Sequence, residues 1–158
     1  MALEIERKFL MKDDSWRGLA NGRHYRQGYL NQDHVATVRI RTIGEEGYLT
    51  IKGPTAHGSR LEYEYSIPVA DALEMLEKLS ASPIVEKLRH AIPYKGFVWE
   101  VDEFLGENEG LVFAEIELEY ADQHFPRPPW IGREVTDDPR FYNSNLARHP
   151  YSCWQERL

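Results

Sequence analysis

The sequence predicts an all-β-dominated (α+β) fold, a closed eight-stranded antiparallel β-barrel with a few flanking helices. Turn signals such as Gly53-Pro54 and residues 106–110 recur along the chain and separate short segments in which apolar and polar residues alternate. This spacing is typical of an antiparallel meander. Eight such strands can close into a barrel, which removes exposed strand edges. The eight segments lie near residues 3–11, 23–30, 35–43, 47–53, 60–67, 84–92, 97–105 and 111–121.

One segment departs from the strand pattern. Residues 69–81 carry apolar side chains at helical spacing with charged residues opposite them, which predicts an amphipathic helix. Pro68 precedes this segment and Pro83 follows it, as suits the ends of a helix. Shorter helical segments are predicted at 14–20 and 141–148, the latter within a C-terminal helical segment of about 139–158.

Composition limits the class of protein. With 158 residues, 42% of them hydrophobic, the chain predicts one globular domain over residues 1–158. The net charge of −7 disfavours a nucleic-acid partner, because phosphate-backbone binding needs a basic surface. The absence of a long apolar run predicts no membrane span. The single Cys153 and the lack of an apolar leader segment predict a cytoplasmic protein.

The polar face of the predicted strands carries charges in same-sign pairs. Successive strand side chains point to opposite faces, so residues i and i+2 share a face about 7 Å apart. Like charges at that distance repel each other, and stability alone disfavours them. The pairs are Glu4/Glu6, Arg39/Arg41, Glu62/Glu64, Lys87/Arg89, Glu100/Asp102 and Glu115/Glu117.

Two orientations of the barrel are compatible with this alternation. Either the apolar face points inward and the charged face is ordinary solvated surface, or the charged face lines a polar tunnel. In the second case the apolar outer face needs a cover, which the helix at 69–81 and the C-terminal segment could supply in part. The same-sign pairs favour the tunnel, because a site that binds both a polyanion and cations requires them.

A charged tunnel predicts a particular chemistry. Arginine and lysine side chains suit phosphate oxygens, and carboxylates suit hard divalent cations that bridge to phosphates. Basic residues and clustered carboxylates in one cavity therefore indicate metal-assisted phosphoryl chemistry. The cations that would line the tunnel are Lys8, Arg39, Arg41, Lys52, Lys87 and Arg89.

The ordered set of these motifs resembles the CYTH superfamily, the triphosphate tunnel metalloenzymes, in its small bacterial inorganic triphosphatase type. Glu4-Ile5-Glu6-Arg7-Lys8 reads as the ExExK motif of that family at the start of the chain. The tail at 142–146 is also similar to the small bacterial members. Between them follow, in order, Val38-Arg39-Ile40-Arg41, Thr50-Ile51-Lys52, Arg60-Leu61-Glu62-Tyr63-Glu64, Glu86-Lys87-Leu88-Arg89, Trp99-Glu100-Val101-Asp102 and Ala114-Glu115-Ile116-Glu117.

The resemblance implies a barrel tunnel that binds a small-molecule triphosphate and depends on Mg²⁺ or Mn²⁺, with a homodimer possible. It implies that the six cations hold phosphate oxygens and that four carboxylates ligate metal, namely Glu4, Glu6, Glu115 and Glu117. Three further carboxylates are expected as additional metal ligands, as holders of waters and basic side chains, or as structural ion pairs, namely Glu62, Glu64 and Asp102. The predicted catalytic residues are Glu4, Glu6, Lys8 and Arg39.

The predicted reaction is hydrolysis of inorganic tripolyphosphate to pyrophosphate and orthophosphate by in-line attack of water, in a two-metal mechanism. An enzyme acting on an organic triphosphate is the alternative, whether a thiamine triphosphatase, a nucleoside triphosphatase or a class IV adenylyl cyclase. A second alternative is a polyphosphate-binding module without catalytic activity. Fold alone does not choose among these.

Overall fold

The computed structural model describes residues 3–31 and 35–158. Within these residues the chain forms nine strands and two α-helices, α1 (Val69–Leu79) and α2 (Asn143–Arg148), with 3₁₀ turns at Gly106–Asn108, Pro139–Phe141 and Tyr151–Cys153. The strands are β1 (Leu3–Met11), β2 (Gly22–Tyr29), β3 (Thr37–Ile43), β4 (Glu46–Lys52), β5 (Ser59–Ile67), β6 (Val85–Tyr94), β7 (Phe97–Phe104), β8 (Val112–Glu117) and β9 (Ile131–Glu134).

The first eight strands close into an antiparallel ring in the order β1-β5-β4-β3-β2-β6-β7-β8 and back to β1. The start of β1 pairs with β5, with Leu3 opposite Leu61, and residues 6–10 pair with β8. The predicted closed eight-stranded barrel is therefore confirmed. The sequence did not predict β9, which pairs with the end of β1 beyond the part that β5 occupies.

The charged face of the barrel points inward. Directly opposite residues of an antiparallel pair share a face, and the register sets Lys8 opposite Glu115 and Arg89 opposite Asp102. Lys87 is 2% exposed and Asp102 is fully buried, so these are not solvated surface charges. Of the two orientations that the sequence allowed, the structure has the polar interior.

Most of the apolar outer face is covered. Helix α1 packs Ala72 and Leu76 on Ile40 of β3, as the predicted outer helix requires. A larger cluster around Phe9 and Trp99 is covered by the β8–β9 connection and by the turn at 14–20. That segment, expected as a short helical turn, forms a turn in the structure and supplies the buried Trp16. No helix of the described residues is long and apolar enough to cross a bilayer.

The C-terminal segment lies elsewhere than the sequence suggested. Residues 139–154, here called the C-terminal plug, were expected on the outside of the barrel. Their buried side chains Phe141 and Leu146 instead form a cluster with Phe104 and Phe113. Because Phe104 and Phe113 share strand parity with Asp102 and Glu115, they belong to the inner face. The plug therefore fills one end of the barrel interior, and the charged cavity occupies the remainder.

Candidate functional site

The interior holds a cavity of about 200 Å³ to which all eight barrel strands contribute side chains. All six cations predicted to bind phosphate line it, and so do six of the seven carboxylates predicted to hold metal. Asp102 is the predicted carboxylate that does not line it. The lining residues are Glu4, Glu6, Lys8, Tyr25, Tyr29, Thr37, Arg39, Arg41, Lys52, Arg60, Glu62, Glu64, Lys87, Arg89, Glu100, Glu115, Glu117, Tyr142, Asn143 and Ser144.

Asp102 lies behind this lining and holds two of its cations. Its carboxylate accepts two hydrogen bonds from Arg89, at 2.7 and 2.8 Å, and lies 2.9 Å from the Lys87 ammonium. Burial opposes its ionisation, but the positive charges of Arg89 and Lys87 lower the pKa of Asp102 below its ordinary value. The arrangement fits the ion-pair role among the roles expected for Asp102.

Positive charge is concentrated on β3. Arg39 and Arg41 share one carboxylate, Glu64, at 3.6 and 3.0 Å. Burial and the neighbouring charges of Arg39 and Arg89 lower the pKa of Arg41 to about 10. Such a wall attracts an anion, and arginine pairs suit phosphate oxygens.

Glu4 is held by two basic side chains. Lys52 lies 3.2 Å from it, and Arg60 donates a hydrogen bond to it at 3.1 Å. Burial opposes ionisation of Glu4, but the charges of Lys52 and Arg60 outweigh it and lower its pKa to about 2. The sequence analysis did not include Arg60 among the site residues, although it begins one of the quoted motifs.

Glu6 has the opposite environment. Burial and the negative charges of Glu115 and Glu4 raise the pKa of Glu6 to about 8. Burial and the charge of Glu4 also raise the pKa of Glu117, which stands opposite Glu6 in the β1–β8 register. Both of these facing carboxyl groups therefore hold a proton more readily than an ordinary glutamate does.

A hard divalent cation fits that donor set. Carboxylate oxygens are the ligands that Mg²⁺ and Mn²⁺ prefer, and Glu6, whose pKa is raised by burial and by its acidic neighbours, can exchange its proton for a cation. In residues 3–31 and 35–158, no group of three or more carboxylate, histidine or cysteine side chains is already assembled for a metal. The residues thus suit a metal that shares its coordination with substrate oxygens and water, as Mg²⁺ commonly does.

The C-terminal plug supplies site residues that the strand alternation could not reveal. The Lys8 ammonium donates to the Phe141 carbonyl at 3.2 Å, and the Lys87 ammonium donates to Asn143 Oδ1 at 3.0 Å. Tyr142 places its ring 5.4 Å from the Lys8 ammonium. These residues belong to a 3₁₀ turn and a short helix, where no period of two marks the inward side.

Known proteins resemble the chain over nearly its whole length. It is 54% identical over 156 residues to an inorganic triphosphatase of Acetivibrio thermocellus, with 99% of this chain and 100% of that protein covered. It is 39% identical over 150 residues to an inorganic triphosphatase of Nitrosomonas europaea, with 91% and 96% covered. A crystal structure of an inorganic triphosphatase superposes with a TM-score of 0.65 at 36% identity, covering 90% of this chain and 96% of that one.

The CYTH domain family matches residues 2–142, which span the eight barrel strands, β9 and the first residues of the plug. Triphosphatases of this family are generally metal-dependent. The predicted resemblance is therefore confirmed, and this chain belongs to the CYTH domain family.

Proposed function

We propose that this chain is a metal-dependent triphosphatase that hydrolyses inorganic tripolyphosphate to pyrophosphate and orthophosphate. One observation carries the proposal: a cavity of about 200 Å³ inside the barrel brings together the cations of six strand positions, four of them buried. Such a cavity suits a small polyanion. The inorganic triphosphatases among its relatives agree with this substrate.

The cationic residues bind and orient the substrate. Arg39, Arg41 and Lys52, on the neighbouring strands β3 and β4, hold phosphate oxygens on one side, and Lys8, Lys87 and Arg89, on β1 and β6, hold them on the other. Water attacks a terminal phosphorus in line with the leaving oxygen. Lys8 and Arg39 stabilise the charge that develops on the transferring phosphoryl group, because they are positioned before the reaction and shielded from water.

The carboxylates hold the metal and set its surroundings. Glu4, Glu6, Glu115 and Glu117 would bind Mg²⁺ or Mn²⁺, with Glu62 and Glu64 as further oxygen donors. A bound divalent cation neutralises phosphate charge and makes a bound water more acidic. Glu6 gives up its proton when the cation takes the proton's place as counter-charge.

The proposed function is tested by orthophosphate release from tripolyphosphate, pyrophosphate, ATP, GTP and thiamine triphosphate. We expect tripolyphosphate to be hydrolysed fastest, activity to vanish in excess EDTA, and added Mg²⁺ or Mn²⁺ to restore it. Full activity in chelator would contradict the metal role. Cyclic AMP with pyrophosphate from ATP, or tight binding without turnover, would establish one of the alternative functions.

Two variants separate the roles of the two kinds of charge. Arg39→Ala removes a phosphate contact and should weaken tripolyphosphate binding about tenfold or more even in chelator. Glu117→Gln should abolish hydrolysis yet keep or raise the metal-free affinity, because an anion beside a polyanion has been neutralised. Calorimetric titration in EDTA measures both. Equal losses of metal-free binding would mean that the carboxylates shape the site instead of holding metal.

We also propose that residues 1–158 form one cytoplasmic domain that assembles as a homodimer. The plug packs inside the barrel, so the C-terminal segment is part of the same core.

A strip of outer barrel face, here called the β5 strip, remains uncovered: Leu61, Tyr63 and Tyr65 are 52%, 45% and 54% exposed. An apolar strip rich in tyrosine suits a self-complementary contact with a second copy. The single cysteine, unpaired and exposed, suits a reducing compartment.

A further inference from the structure

The C-terminal plug closes one end of the barrel interior, and this closed end is here called the floor. On the inner face, the positions that follow the charged ones toward one end are apolar, including Leu10 after Lys8 and Phe113 before Glu115. Phe141 and Leu146 of the plug fill the space between them, and both are fully buried. In the described part of the chain the cavity therefore ends against the plug, while the side chains of Glu64 and Glu100 are 34% and 35% exposed and mark its mouth.

The two lysines nearest the floor are tied to the plug. Lys8 donates to the Phe141 carbonyl, and Lys87 donates to the side chain of Asn143. A substrate that fills the cavity to its full depth places one phosphate between these two ammonium groups. The plug residue that lines the cavity beside Lys87 is Asn143.

The amide of Asn143, which lines the cavity, is held through its oxygen. Its Oδ1 accepts from the Lys87 ammonium at 3.0 Å and from Gln27 Nε2 at 3.2 Å, and Gln27 is fully buried. Because a lysine ammonium can only donate, it fixes which end of the amide faces it. Among the described residues no acceptor takes a hydrogen bond from Asn143 Nδ2, so both N–H groups remain for a ligand.

We propose that Asn143 is a substrate-binding residue of the proposed triphosphatase, whose Nδ2 donates a hydrogen bond to the phosphate that lies deepest in the cavity. The inference rests on the proposed function and adds a contact made by the plug to those made by the strands. Asn143 belongs to the wall of the cavity together with Lys87 and does not act on the reacting water. Its loss weakens binding of substrate more than it slows turnover of bound substrate.

Two substitutions test the contact. Asn143→Asp keeps an oxygen for Lys87 and Gln27 to donate to but removes the Nδ2 donor, whereas Asn143→Ala removes both. A hydrogen bond to a charged group corresponds to roughly ten- to hundredfold in affinity. We expect both variants to raise the KM for tripolyphosphate, and the Kd measured by calorimetry in EDTA, at least about tenfold, with kcat changed less than KM.

Asn145 provides the matched control. It lies on the same helix, and its Nδ2 donates to the Pro139 carbonyl outside the cavity. Asn145→Asp and Asn145→Ala should leave KM and Kd within about twofold. If Asn143→Asp weakened binding and Asn143→Ala did not, the effect would be one of added negative charge, and the proposed contact would be wrong.

The remaining outcomes are also decisive. Wild-type hydrolysis with an unchanged Kd in Asn143→Asp would overturn this inference and leave the proposed function intact. A wild-type protein that neither binds nor hydrolyses any triphosphate would overturn the proposed function itself. If Asn143→Ala fails to fold, Asn143→Asp decides alone, because it preserves the acceptor that anchors Lys87 and its melting temperature shows whether the plug is intact.

Discussion

Glu6 is a half-buried carboxyl group with two other carboxylates beside it, and these surroundings favour a proton on it. Its pKa of about 8 lies far above the ordinary 4.5. Between those values the folded state binds a proton that the unfolded state has lost, so stability falls as pH rises. The stabilising contribution of the protonated group is fully present below pH 4.5 and is lost as the pH rises through about 8.

Denaturant unfolding in EDTA at pH 5.5, 7 and 8.5 measures this dependence. We expect the free energy of unfolding to fall across this range, with a limiting slope of about 1.4 kcal/mol per pH unit for one proton. Glu6→Gln should flatten the slope, whereas Glu119→Gln, at an exposed position beyond β8, should not. If the free energy of unfolding still declined steeply with pH in Glu6→Gln, another titrating group would be responsible for the decline.

Asp102 tests whether a predicted metal ligand is instead a structural ion pair. Asp102→Asn leaves Arg89 and Lys87 buried without their shared counter-charge, so we expect the free energy of unfolding to fall by about 3–5 kcal/mol. Glu100→Gln removes the more exposed partner of Arg89 and should cost about 1 kcal/mol or less. An Asp102→Asn protein as stable as wild type but insensitive to added Mg²⁺ would restore the ligand role.

Helix α1 was predicted from the helical spacing of its apolar residues, and its packing on the barrel explains that spacing. The apolar face of α1 is partly buried and partly exposed: Leu76 is 3% exposed against Ile40, whereas Leu73 is 44% exposed. Leu76→Ala leaves a cavity and should lower the free energy of unfolding by about 2–5 kcal/mol. Leu73→Ala should change it by about 0.5 kcal/mol or less. Similar small effects in both would mean that α1 does not close the outer layer.

Elements decided by distant partners could not be predicted from local pattern. The strand β9 has four residues, among them Gly132, and alternation needs a longer segment to be visible. Its position is set by the edge of β1 that β5 leaves unpaired beyond Ile5. The turn at 14–20 carries helix-compatible residues, but Gly18 adopts a φ of 81°, which suits a turn.

The sequence predicted site residues that lie on strands and missed those that the C-terminal plug supplies. Along the strands, the alternation of apolar and charged residues showed which side chains share a face. The same-sign charge pairs then indicated a polar interior. Arg60 stands beside the turn before β5 and has no same-sign partner two residues away, so that signal could not mark it. Asn143 and Tyr142 reach the cavity only because the chain returns into the barrel end.

The assembly of the whole molecule depends on the β5 strip. If a second copy covers it, light scattering should give the mass of a dimer for the wild type, and Tyr63→Glu should give a monomer of 18.5 kDa with a full complement of β structure. Val98→Glu alters an equally exposed apolar residue on β7 and should leave the dimer intact. A monomeric wild type would contradict the proposed homodimer.

The floor made by the plug also governs how a reaction cycle ends. In the described part of the chain, the filled end holds Phe104, Phe113, Phe141 and Leu146 without space for an anion to pass. In the proposed enzyme, a fragment produced next to Lys8 and Lys87 would depart only after the fragment nearer the mouth had gone. The two products would then leave in a fixed order. With tripolyphosphate as the varied substrate, pyrophosphate and orthophosphate should therefore give different patterns of product inhibition. The order in which the products leave is thus a property of a segment that takes no part in breaking the bond.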